Sequence, residues 1–188
     1  MTTASTELHP RIVELMGALN ASRSELHACL DAMSEQQRTA PPIGNTWSVA
    51  QNLEHLALIE GGVGRLISNL MKQAAATGTH ETETSTVLDS LAKWNPARAS
   101  QPLPAPDAML PKEGITVDEA LVRLSASRAR LLSVLPTASG LPLASVHAPH
   151  AFLGAINGYQ WILLIAEHER RHTRQIEALA SRFTAPLH

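Results

Sequence analysis

The sequence predicts an all-α fold, a four-helix bundle with long connecting loops, and three observations carry that expectation. Four stretches repeat apolar residues at helical spacing, two of them open on a capping box, and no segment alternates apolar and polar residues convincingly. A chain of 188 residues with 44% hydrophobic content is long enough for one real core and short for two, so a single domain over 1–188 is expected.

The first helix is expected over residues 7–31. Pro10 suits a first-turn position, and Ile12, Leu15, Met16, Leu19, Leu26 and Leu30 recur on one face. His27 flanks that stripe as a surface histidine, and Cys29, between Leu26 and Leu30, reads as a small buried residue and not as a nucleophile. The following SEQQRTAPPIGNT is turn-rich, with room for one short helical turn before Pro41 and Pro42.

A second helix starts near Ser48, where Ser48 and Gln51 form a capping box, and runs to about Ala76. At about 100° per residue its inner stripe holds Ser48, Gln51, Asn52, His55, Leu58, Ile59, Gly62 and Leu66. Gly61, Gly62 and Gly64 each cost about 1 kcal/mol against alanine in a helix interior. Two readings account for them, close helix contact or room beside a metal.

Residues 77–115 read as an irregular crossover or lid, with a weak helical turn from Val87 to Trp94 and a proline-rich remainder. Its length lets the second and third helices run parallel, which a short loop forbids. Trp94 would fill a groove or cover a site mouth. The third helix opens on the capping box Thr116 and Glu119, and Val117, Leu121, Leu124, Leu131, Leu132 and Leu135 share its face. Arg128 interrupts that stripe, either to contact the anionic part of a ligand, or to pair with an inward carboxylate such as Glu54 or Glu60, or to snorkel out to solvent. Residues 136–157 form another expected loop, in which His147 and His150 are weak ligand candidates.

The last helix, 158–179, carries the chemistry. Trp161, Leu164, Ile165, His168, His172, Gln175 and Leu179 fall on one face, with Glu167, Arg170, Arg171 and Arg174 away from it. Histidines at i and i+4 converge on one divalent metal when a third ligand joins them, and His55 is the third inward histidine. Gln51 and Gln175 lie one turn from these positions as candidate outer partners. His168, Glu169 and His172 also spell H-E-x-x-H, but only sixteen residues follow His172 to supply a zincin's downstream ligand, and Glu169 points to the side of the histidine face. A peptidase is therefore not expected.

A formal charge of −2 and 3% aromatic residues argue against nucleic-acid binding. One cysteine excludes an intramolecular disulfide and a thiolate zinc cluster. No apolar run approaches about 18 residues, so no membrane span is expected, and a cytoplasmic location follows from that and from an N-terminus unlike a signal peptide.

The residues Trp47-Ser48 with His55 in WSVAQNLEHLALIE, and His168, Arg171-His172 and Gln175-Ile176 in HERRHTRQI, resemble the DinB-like superfamily, especially the DinB or DUF664-type metal-dependent hydrolases. The resemblance extends over nearly the whole chain. It implies an up-down-down-up bundle with His55, His168 and His172 as metal ligands and, in the thiol-dependent branches, S-transfer or isomerisation with a low-molecular-weight thiol such as mycothiol or bacillithiol. A homodimer is implied by the same resemblance. The expected metal is zinc or nickel first, iron or manganese next, and the expected substrate a small molecule. The expectation from another functional class is a non-catalytic, metal-stabilised binding or stress-response protein.

Overall fold

The computed structural model describes residues 7–42, 44, 46–92 and 105–182. Its helices are α1 (Pro10–Asp31), a short α2 (Glu35–Thr39), α3 (Val49–Ala76), α4 (Val117–Val134) and α5 (Gly158–Arg182). Both expected capping boxes are formed, Ser48 with Gln51 and Thr116 with Glu119. Two more start helices the same way: Ser34 with Gln37 at α2, and Asn157 with Gln160 at α5, where the side chain of each bonds the backbone N–H of the other at 2.9 Å.

Contacts between the helices give their directions. Glu54 and Glu60 of α3 meet Arg123 and Arg128 of α4 in the same order, so α3 and α4 are parallel. Asn52 and His55 meet His172 and His168, an antiparallel order, while Arg11 and Ser22 of α1 meet Tyr159 and Glu169 of α5 in parallel. The order is up-down-down-up, and the long crossover makes the parallel α3–α4 pair possible.

The crossover carries short 3₁₀ turns at Leu88–Leu91 and Asp107–Met109, and Trp94 lies outside the described residues. The loop expected over 136–157 is corrected in part: it contains a two-stranded antiparallel hairpin, β1 (His147–His150) and β2 (Gly154–Asn157), in register His147 with Asn157 and His150 with Gly154. Strands reading HAPH and GAIN are too short and too poor in β-branched residues to announce themselves. The hairpin leads directly into α5 through Gly158, whose N–H bonds the Leu143 carbonyl at 2.9 Å; a Cβ there would lie 3.1 Å from that oxygen.

Two apolar clusters fill the bundle. One gathers Ile12, Leu15 and Leu19 with Ile67, Leu70, Leu131 and Ile162; the other gathers Leu26 and Leu30 with Leu53, Leu56, Leu124 and Ile176. Between them every long helix contributes a polar side chain. Glu60 of α3 accepts from Arg128 Nε at 2.5 Å and from Arg23 Nη2 at 3.1 Å, and Glu169 of α5 accepts from Arg23 Nε at 2.6 Å and Arg128 Nη2 at 2.9 Å. Ser22 donates to Glu169, Ser127 donates to Glu60, and Arg128 Nη1 donates to the Leu19 carbonyl. Two carboxylates thus balance two guanidinium groups. Each acid is gripped from both α1 and α4, so sliding any one helix would break bonds to two others.

Candidate metal centre

His55, His168 and His172 come together where α3 crosses α5, with one potential ligand atom from each all within 4.8 Å of one another. His55 and His172 are only 4% and 5% exposed. The His168 and His172 Nε2 atoms are 3.2 Å apart. Two nitrogens each about 2.0–2.1 Å from a tetrahedral ion stand about 3.3 Å apart, so the spacing suits a shared metal.

The outer bonds decide which nitrogen of each ring faces inward. His55 Nδ1 lies 2.7 Å from the Met109 carbonyl, which can only accept, so Nδ1 carries the proton and Nε2 keeps its lone pair. His172 Nδ1 lies 2.8 Å from Asn52 Oδ1. That amide is oriented by its own Nδ2, which donates to the Ser48 carbonyl at 2.9 Å at the start of α3. His172 therefore also presents Nε2 as an acceptor. Trp47 walls one side, its ring 4.7 Å from that of His55 and 6.1 Å from that of His172.

Burial is the first cause that holds all three imidazoles neutral. It lowers His55 against the opposing pull of the Met109 carbonyl, brings His168 to about 3 with help from His55, Arg171 and His150, and takes His172 well below the ordinary range with help from His168, His55 and Arg171. A histidine whose folded pKa is lowered favours folding above its unfolded value of about 6.5, and that contribution is lost as pH falls, because the unfolded chain then binds more protons. The metal-free protein should therefore lose stability as pH falls below about 6.5, with His168 alone approaching about 1.4 kcal/mol per pH unit once the unfolded histidine is protonated. Denaturant melts across that window measure this, and His168→Gln should flatten the slope.

The other candidate residues fall elsewhere. Arg128 is not an open anion contact: its donors are taken by Glu60, Glu169 and the Leu19 carbonyl, and the two carboxylates neutralise it and Arg23 together. The pairing with Glu60 is the alternative that the structure contains. Gln51 is used by the Ser48 cap, and Asn52, one position on, takes the role of outer partner; Gln175 lies beside His172 and favours its charged form. Glu169, turned toward α1 and α4, is committed to the ion-pair belt.

Among the loop histidines, His147 is exposed, whereas His150 packs with its ring 5.4 Å from Trp161 and close enough to His168 to affect its charge. Cys29 is half-buried, and burial with Glu177 nearby pushes its thiol up to about 11, too high for a reactive thiolate at neutral pH. Arg171, expected on the solvated face, is buried at 5% exposure. The narrow space between His168 and the belt, lined by Leu56, Ile59, Leu124 and Ile165, is too tight for a water molecule.

A helical bundle with three converging, neutral imidazoles at the crossing of two helices defines a protein of the histidine-clustered four-helix class. The chain belongs to the DinB superfamily, whose family model matches residues 18–176. A solved structure described as TT2238, a four-helix bundle protein, is similar at a TM-score of 0.59 and 23% identity, covering 89% of this chain and 98% of that one. That likeness concerns the fold. No curated protein matches the chain, and no helix among the described residues is long and apolar enough to cross a membrane.

Proposed function

We propose that His55, His168 and His172 hold one divalent metal ion, zinc or nickel before iron or manganese, and that the protein is a metal-dependent enzyme acting on a small molecule. Thiol-dependent transfer or isomerisation is the first reading of the reaction and hydrolysis the second. The observation that carries the proposal is the convergence of three imidazoles, two of them turned ligand-ready by Met109 and Asn52. An ion held by three neutral ligands keeps its full charge and lowers the pKa of a water or thiol that it binds.

The chain's own residues supply positioning and exclusion of water. Asn52 and the Met109 carbonyl orient two rings, and Trp47, Leu56, Ile59 and Ile165 surround the site with apolar surface. Asn52→Ala should weaken metal binding about 10–100-fold without loss of helix content, because the His172 ring loses its orienting acceptor. Competition with a chelating dye measures it.

A second reading, a metal that only ties α3 to α5, is favoured by the tightness of the space beside His168. Cobalt-loaded protein separates the two. A visible spectrum that changes on titration with a small thiol or with azide supports chemistry at an open position. A spectrum silent to both supports the structural role, since a closed site has no position left.

A further inference from the structure

The end of the crossover is fastened to α3 at three points, one of which is a candidate metal ligand. The Met109 carbonyl accepts from His55 Nδ1 at 2.7 Å, the Lys112 N–H donates to Glu54 Oε2 at 2.6 Å, and the Met109 side chain lies over Gly62, where a Cβ would stand 3.1 Å from its terminal methyl. This accounts for one of the helix-interior glycines: Gly62 makes room for the crossover, two turns along α3 from His55. The remaining contact, Glu54 with Arg123 at 2.6 Å, fixes the acid that holds Lys112.

The bond to His55 answers to what the ring's other nitrogen holds. With Nε2 on a metal, the proton must sit on Nδ1, and the ion draws electron density from the ring and strengthens that N–H as a donor to Met109. Without a metal, the Met109 carbonyl alone keeps the proton on Nδ1, and the bond lacks that added polarisation.

We propose that residues 105–112 form a strap whose docking on α3 and metal occupancy of the histidine cluster stabilise each other, so that metal loading fastens the strap and lifting the strap loosens the metal. The proposal rests on the reading of the cluster as a metal site. Linkage requires the effect to be equal in both directions.

The test is hydrogen exchange of the peptide spanning 105–115 in the full chain, zinc-loaded and after EDTA, together with the zinc Kd of Gly62→Leu, which unseats Met109 while favouring the helix. Zinc should slow exchange in this peptide about tenfold more than in α1, and Gly62→Leu should raise the zinc Kd by about the same factor. Unchanged exchange at full zinc occupancy would overturn the coupling, as would faster exchange in Gly62→Leu with an unaltered Kd. If Gly62→Leu does not fold, the exchange of the native chain decides alone. Failure of the native chain to bind zinc at all would remove the metal reading and the strap with it, an outcome separate from binding without coupling.

Discussion

Glu169→Ala is expected to destabilise the protein by about 3–5 kcal/mol, because it leaves Arg128 and part of Arg23 buried against a single remaining carboxylate. Against a typical total of about 5–15 kcal/mol, that is a large fraction of the folding free energy. The cost is the penalty of an uncompensated charge and not the net worth of the ion pairs. Glu169→Gln, which keeps the shape and some hydrogen bonds, should cost less, and pairing Glu169→Leu with Arg128→Met should recover much of the loss. Denaturant unfolding of the metal-free variants measures all three. Glu169→Gln should also retain metal affinity, since the Glu169 carboxylate faces α1 and α4; a collapse of affinity would show that the acid supports the histidine cluster as well as the belt.

The second large effect is on metal binding itself. Alanine at any one of His55, His168 or His172 should abolish tight binding, because two imidazoles hold an ion poorly. The stability supplied by an ion that binds only the folded state is RT ln(1 + [L]/Kd), about 2.7 kcal/mol at a hundredfold excess over Kd. Native protein should therefore melt higher with zinc than after EDTA, and each variant should show no such difference. A His55→Ala protein with full metal occupancy and an unchanged zinc-dependent rise would contradict the cluster. Affinity should fall as pH drops, since protons compete for the same lone pairs. The low imidazole pKa values set by burial move that loss below the ordinary histidine range.

The bundle was legible because its signals are local and repeated. Ser48 with Gln51 and Thr116 with Glu119 mark helix starts through bonds between residues three apart, and the inward histidines follow from angular position alone. The up-down-down-up order followed from the resemblance and from a crossover long enough for parallel α3 and α4.

What the sequence concealed depends on contacts between distant segments. Asn52 was on the inner stripe, but nothing local says that its amide is turned by the Ser48 carbonyl toward His172, or that Gln51 is consumed by the cap. The ion-pair belt needs Arg23, Glu60, Arg128 and Glu169 to meet at one level, which spacing within single helices does not disclose. Arg128 shows the consequence: an arginine in an apolar stripe leaves ligand contact, ion pair and snorkelling all open until its partners are in place. Gly62 likewise made room for a methionine some 47 residues downstream.

The most direct measurement of the central claim is X-ray absorption at the zinc edge of the zinc-loaded protein, with metal stoichiometry determined on the same sample. The account predicts one ion per chain with three imidazole nitrogens at about 2.0–2.1 Å and a lighter ligand completing the shell. An ion surrounded by oxygen alone or, in a sample free of added thiol, one with a sulfur at about 2.3 Å, would contradict it.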